Sequence, residues 1–309
     1  MRFVIGLPTD DVHKRDEFGT AEAVTEMARR VEELGYEAIY VTDHPAPTRK
    51  YIEGGGHHAL EPTVVLSMAA AVTTRLRLMS NLYVVAYRNP FIAAKTIATL
   101  DSLSSGRVIV GTGAGYLKPE FNALGVDFER RNEILDANIE LMKRIWSGEP
   151  VVADGPGWRA DETVALPLPA QRPHPPIWIG GNSPRARRRA VELADGWIPM
   201  PAPRKFASYV RSTPLESVDD LRAALAYIRE HSEKVGRSKP LDVMFGPFHA
   251  NYGEKGFDLG VYRAGCDELE ALGVGYAGVQ FAYPGRGMIE SRKRFLELAE
   301  GFARDVMQR

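Results

Sequence analysis

The fold class that the sequence predicts is a parallel eightfold barrel, the (β/α)8 or TIM-barrel architecture, and three observations predict it. Short apolar runs alternate with segments of helical period eight times over 309 residues. A doubly wound sheet rarely needs eight strict repeats, whereas the barrel requires them and typically takes about 250 residues plus insertions. Within the stretch 75–116, RLRLMSNLYVVAYRNPFIAAKTIATLDSLSSGRVIVGTGAGY, a complete strand, helix and strand unit can be read. Strands joined through a helix run parallel, and a right-handed crossover brings both carboxyl ends to one side, so residues 80–87 and 111–116 line one rim. The chain, 1–309, reads as one domain with an irregular insertion between the fourth helix and the fifth strand.

In chain order, residues 3–7 form an apolar run closed by Pro8, and 21–34 has helical spacing capped by Gly35. Residues 37–42 make the second strand, which ends in Asp43-His44-Pro45; a loop with three glycines and two histidines follows at 51–58, and a helix starts at Pro62. In the central unit, 76–85 and 108–110 mix β-branched and apolar residues, and Asn89-Pro90 reads as N-cap and first helical residue. Ile92, Thr96, Leu100 and Leu103 recur at helical spacing, and Gly106 ends that helix. Residues 130–146 form a long helix, 148–175 a proline-rich insertion without helical period, 176–180 a strand, 184–194 a helix and 197–200 a short strand. Helices 218–235, 259–272 and 290–306 then alternate with strands 241–245 and 276–281.

A hydrophobic content of 44% lets the chain bury a large core without disulfide or metal staples. A net charge of -1, with charges mixed throughout, argues against nucleic-acid or anionic-membrane surfaces and for a small soluble ligand. Cys266 is the single cysteine and falls in a helical pattern, which suits a buried packing residue better than a nucleophile. No signal peptide and no apolar run of about 18 residues is visible, so the cytoplasm is the expected location.

Active sites in this fold sit at strand carboxyl ends. That rule nominates Asp43, His44, the run 81–87 from Asn81 and Leu82 onward, the run 111–116, Gly180, Gly181, Asn182, Ser183, Met200, and Phe248 with His249. A retaining glycosidase needs two rim carboxylates about 5 Å apart, and the fourth and seventh strand ends carry none. A Schiff-base lysine on a strand is missing, since Lys95 lies inside a helix and Lys118 beyond a loop. His57 and His58 are adjacent in a glycine-rich loop, an awkward geometry for joint chelation, so no metal is expected. Gly111, Gly113 and Gly115 remove side chains from alternate positions, which lets a flat ring or phosphate approach the backbone with Tyr116 over its edge; a plain glycine-rich turn is the other reading. The dinucleotide fingerprint fails because Tyr116 stands where its third glycine belongs. Gly180-Gly181-Asn182-Ser183-Pro184 ends a strand and opens a helix whose free donors and dipole suit an anion, with ordinary capping as the alternative. A phosphate beside a flat ring describes a flavin-like ligand. His44 would lie near that ring and could manage a proton near neutral pH, or be a satisfied structural histidine.

On these residues the chain resembles the bacterial luciferase-like monooxygenase superfamily, and within it the deazaflavin (coenzyme F-420) dependent oxidoreductases. The carriers are GYEAIYVTDHP at 35–45, RLRLMSNLYVVAYRNPFIAAKTIATLDSLSSGRVIVGTGAGYLKPEF at 75–121 and PPIWIGGNSPRARRRAVELADGWIP at 175–199. The resemblance implies an oxidoreductase transferring a hydride between F-420 and an organic substrate, with a homodimer as its assembly. It implies that Asp43 and His44 face the deazaflavin, that a non-prolyl cis peptide at Asn81-Leu82 beside Ser80 backs the ring, and that Gly111, Gly113 and Gly115 border it. Gly180, Gly181, Asn182 and Ser183 would then hold the phosphate. The family's sugar-phosphate dehydrogenase has a catalytic glutamate after the glycine-rich strand end, where this chain has Tyr116; that argues against a sugar phosphate and makes Tyr116 a catalytic candidate beside His44. An FMN-dependent monooxygenase and a non-catalytic flavin-binding protein of the same fold are the alternatives. Substrate selection is expected from the irregular segments 46–60, 148–175 and 201–215, where Tyr51, Trp158 and Phe206 suggest an apolar or conjugated substrate.

Overall fold

The computed structural model describes residues 1–281 and 289–308. Strands β1 (Arg2–Gly6), β2 (Ala38–Val41), β3 (Arg77–Tyr83) and β4 (Val108–Thr112) pair in parallel and in sequence order. A separate antiparallel pair, β5 (Val151–Gly155) and β6 (Trp158–Thr163), follows, and the sheet resumes with β7 (Ile177–Gly180), β8 (Gly196–Ile198), β9 (Asp242–Val243) and β10 (Tyr276–Val279). β4 pairs with β7, and β10 pairs with β1. A parallel bridge between Met244 and Tyr276 joins the remaining edges: Phe245 N–H donates to Tyr276 O at 2.9 Å and Gly275 N–H to Val243 O at 3.2 Å. The expected eightfold barrel is therefore present.

Period-two alternation separates two buried layers. Val4, Ala38, Tyr40, Met79, Ile109, Trp178, Ile198, Met244 and Tyr276 pack together as the barrel interior. Their neighbours Ile5, Ile39, Val41, Val108, Val110, Ile177 and Ile179 join the core shared with the helices. Those helices, among them Ala21–Glu33, Pro62–Ala70, Pro90–Leu103, Arg131–Ser147 and Pro184–Leu193, open at side-chain caps where the sequence supplies them: Thr20, Asn89 and Ser183 each accept a backbone N–H of the first turn. Cys266 is buried in the helix Leu259–Ala271. Among the described residues no helix is long and apolar enough to cross a membrane.

Two expectations need correction. In the helix Pro90–Leu103 the period is right but the phase is off: Ile92 and Leu103 are exposed, and the buried face is Ala93, Ala94, Ile97, Ala98 and Leu100. The segment 148–175 is not wholly irregular either, since β5 and β6 form a hairpin in which Gly157, after Pro156, takes a φ of +76°, a turn position that favours glycine. This insertion leaves and rejoins the barrel at the end opposite the mouth, and its hairpin runs along the outside of the helix Pro90–Leu103. Gln171 within it donates to Asp101, a fully buried carboxylate that also accepts the N–H of Val108 at the start of β4. Trp158 packs edge-on against Phe91, in the first turn of the helix Pro90–Leu103, on the outer flank of the barrel, 5.5 Å between centroids.

Candidate active site

At the mouth, the end of β2 passes straight into Asp43 and His44, and β3 bulges between Ser80 and Tyr83 with the Asn81-Leu82 peptide cis. The bulge brings backbone and side chain hard against the neighbouring strand ends. A Cβ at Gly111 would overlap Ser80 O, one at Gly113 would come within 2.7 Å of Leu82 Cδ1, and one at Gly180 would also overlap Leu82. Gly111 is thus required by the chain's own backbone, and Gly113 and Gly180 leave room for the Leu82 side chain, a packing role beside the ligand approach and the plain turn or cap that the sequence offers. Gly115 differs: its φ of +72° turns the chain so that Tyr116 faces the mouth and Phe121 packs behind.

Asp43 and His44, adjacent in sequence, part company. Both Asp43 oxygens are spent on Arg88, at 2.6 and 3.0 Å, and on the Val84 N–H at 2.9 Å, so its buried carboxylate clamps the segment after β3 and is not turned to the mouth. His44 Nδ1 lies 3.2 Å from Glu120 Oε2, and its Nε2 lies 3.5 Å from the Tyr116 hydroxyl. Tyr116 in turn shares a 2.9 Å hydrogen bond with the Tyr51 hydroxyl. Burial, with Tyr51 and Glu120 nearby, pushes the Tyr116 phenol far above its ordinary range, and burial likewise raises Tyr51, so both stay protonated donors.

Glu120, fully buried on the short helix Lys118–Ala123, is the residue that sequence reasoning missed. It accepts the Tyr87 hydroxyl at 2.9 Å and the Ala46 N–H at 3.2 Å as well as meeting His44. A signal existed: a lone acid four residues after Tyr116, just past the fourth strand end. Of the segments expected to face substrate, 46–60 contributes Tyr51 from a helix, Arg49–Glu53, and 201–215 contributes Tyr209, whose ring is 6.5 Å from Tyr116, from the helix Arg204–Tyr209. His249 is exposed and packs toward Gly265 of the helix Leu259–Ala271, away from this cluster.

His57 stands edge-on to His44, 4.7 Å between centroids, with its Nδ1 3.6 Å from Asp10 Oδ2. Burial and the neighbouring His44 push His57 down to about 4, and burial pushes Asp10 up to about 6. The pair therefore stays uncharged over part of the acid range. For His57 the sign is explicit: as pH falls from about 6.5 to about 4, the unfolded chain takes up a proton that the folded chain refuses, so stability is lost across that window, on the order of 3 kcal/mol. Asp10 acts the other way, since its raised value adds stability as pH falls from about 6 to about 4, so denaturant titrations at a series of pH values should show His57→Gln gaining stability relative to the wild type across that window; parallel curves would refute the assignment.

At the start of the helix Pro184–Leu193 most donors are already used. Gly181 N–H goes to Ile198 O, Asn182 N–H to Ser212 Oγ and Ala186 N–H to Ser183 Oγ. The Asn182 amide is spent on Met200 and Thr213, which pins the 201–215 segment to the strand end. Among the described residues, the Ser183 and Arg185 N–H groups remain without a partner, and Gly181, at φ +106°, leaves the backbone bare beside them. Two donors at a helix start with no side chain over them fit a phosphate. The Asn182 side chain does not belong to that set.

The geometry can be set beside known proteins. A 33% identity over 192 residues, 56% of this chain and 66% of the relative, links it to an uncharacterised protein of Mycobacterium tuberculosis. An F420-dependent glucose-6-phosphate dehydrogenase of Nakamurella multipartita is 32% identical over 187 residues, covering 59% of this chain and only 53% of that protein. Among solved structures, a monooxygenase from Streptomyces bottropensis superposes with a TM-score of 0.76 over 99% of both chains at 21% identity, a likeness of fold. The family model described as luciferase-like monooxygenase matches residues 1–251. With four fifths of its length under that model, and the barrel and rim built as described, the chain belongs to the luciferase-like monooxygenase family.

Proposed function

We propose that the barrel mouth binds the deazaflavin coenzyme F-420 and that the protein transfers a hydride between it and a small, apolar or conjugated organic substrate. One observation carries this reading: the His44 ring ends β2 with one nitrogen on a buried carboxylate and the other turned to Tyr116 and the mouth. Hydride transfer to or from an organic substrate is accompanied by a proton, and an imidazole on the rim can hold it near neutral pH. When bound, the deazaflavin supplies the two-electron carrier. The protein's residues orient and shield it: the Ser80–Tyr83 bulge backs the ring, Tyr51 and Tyr116 wall the mouth, and the Ser183 and Arg185 N–H groups hold the phosphate. The dependence of the Nakamurella relative on F420 supports the choice of cofactor.

A second reading, an FMN-dependent monooxygenase using the same mouth, draws on the likeness to the Streptomyces monooxygenase. Titrating purified protein separately with F-420 and FMN, then assaying reduction of an activated enone without and with oxygen, separates the two. Binding and enone reduction with F-420 alone support the first reading; FMN binding with oxygen-dependent turnover and no affinity for F-420 overturns it. Gly181→Val tests the phosphate site. A β-branched residue at φ +106° must shift the backbone that carries the free donors, so cofactor affinity should fall tenfold or more, on the order of 1.4 kcal/mol. Unchanged affinity in a folded variant would remove the phosphate from this helix start.

A further inference from the structure

We infer that Glu120 is a positioning residue that fixes the tautomer of His44, so that the neutral imidazole carries its proton on Nδ1 and turns the Nε2 lone pair to Tyr116 and the barrel mouth. The inference deepens the reading above, in which His44 holds the proton, and it rests on the donors around one carboxylate. Ionised, that group only accepts. Its Oε1 takes the Ala46 N–H at 3.2 Å, and its Oε2 takes the Tyr87 O–H at 2.9 Å and faces His44 Nδ1 at 3.2 Å. Beside an acceptor, a ring nitrogen makes a hydrogen bond only by donating, so Nδ1 carries the proton. On the far side of the ring, Tyr116 can donate to Nε2 at 3.5 Å while Tyr51 donates to Tyr116. The remaining titratable neighbours are His57, edge-on to the ring, and Asp10 behind it.

Held this way, neutral His44 meets the mouth as a proton acceptor. A proton arriving there settles on Nε2, and the imidazolium so formed keeps its Nδ1–H on Glu120. Returning that proton to the mouth restores the starting tautomer. A merely structural Glu120 would stabilise the fold without deciding which nitrogen faces the substrate.

The experiment needs neither cofactor nor substrate. Long-range proton–nitrogen correlation spectra of the 15N-labelled full chain, recorded at the alkaline end of the histidine titrations, report which ring nitrogen is protonated. His44→Gln identifies the His44 signals among the seven histidines. The wild type is expected to show a protonated Nδ1 and a bare Nε2. In Glu120→Gln the Ala46 N–H can only donate, so it claims the new amide's carbonyl and leaves the NH2 group facing His44. Nδ1 must then accept, the proton moves to Nε2, and the two nitrogens exchange their chemical shifts. Tyr87→Phe, which keeps the carboxylate, should retain the wild-type pattern. A wild-type spectrum with the proton on Nε2 overturns the inference whether or not Glu120→Gln folds, and so does a folded Glu120→Gln that keeps the proton on Nδ1. Failure to bind F-420 would sink the cofactor reading and leave this result standing.

Discussion

His44→Ala should lose roughly 100-fold or more in turnover while cofactor affinity stays within a few-fold. Among the described residues of the mouth cluster, the imidazole has a buried carboxylate on one nitrogen and the substrate side on the other, so removing it takes one partner from Glu120, which keeps Tyr87 and Ala46, and leaves the transferred proton without a carrier. His44→Gln separates the two duties, since a carboxamide keeps hydrogen bonding to Glu120 and Tyr116 but cannot take up a proton near neutral pH. It should fold well and turn over almost as poorly as the alanine variant. Steady-state assays with the cofactor at saturation decide the matter. If both variants lose stability and keep most of their turnover, His44 only packs and Tyr116 becomes the candidate to test.

The second large effect is on folding. Gly111→Ala places a methyl group onto Ser80 O, with Ile198 Cδ1 of the barrel interior also within 3.2 Å. Neither strand end can retreat, because Ser80 and Gly111 are also tied by the Ser80 hydroxyl donating to Gly111 O at 2.9 Å. Overpacking against backbone should cost about 3 kcal/mol or more, which for a chain of this size is a fall of about 6 °C or more in melting temperature, or failure to accumulate as folded protein. Gly236→Ala is the matched control. It has a positive φ of +72° but open space where the methyl would go, so it should lose only about 1 kcal/mol. Equal losses in thermal denaturation would show that steric crowding is not what keeps residue 111 a glycine.

Much of this molecule was legible in its sequence because the signals are local. The alternation of Val108, Ile109 and Val110, the Asn89-Pro90 and Ser183-Pro184 helix starts and the left-handed Gly106 each act within a few residues, and each stands where it was read. What could not be read were meetings between distant residues. Glu120 reaches His44 across 76 positions and Tyr87 across 33, and no spacing announces either. Asp43 was expected to face the cofactor beside His44, yet side chains on consecutive residues at a strand end point to opposite sides, and Arg88 lay ready on one of them. The glycines of the fourth and fifth barrel strands carried an ambiguity of another kind. Room for a ligand and room for Leu82 require the same missing Cβ. Trp158 sits on the outer face of a helix because the hairpin that carries it runs along the barrel flank, and the insertion's sequence does not announce that path.

The junction between β9 and β10 has a dynamic consequence. Every other neighbouring pair in the barrel zips along a ladder, but here, among the described residues, closure is a single bridge flanked by the Phe245 and Gly275 amides, beside a strand of two residues. Local opening of the ring is therefore expected to begin at this joint, where the described pairing is a bridge and not a ladder. In deuterated solvent those two amides should exchange ahead of their counterparts in β1 to β4. The barrel would then breathe like a cuff with one loose fastening, opening opposite the β3–β4 pair, whose ladder carries the bulge at Ser80–Tyr83.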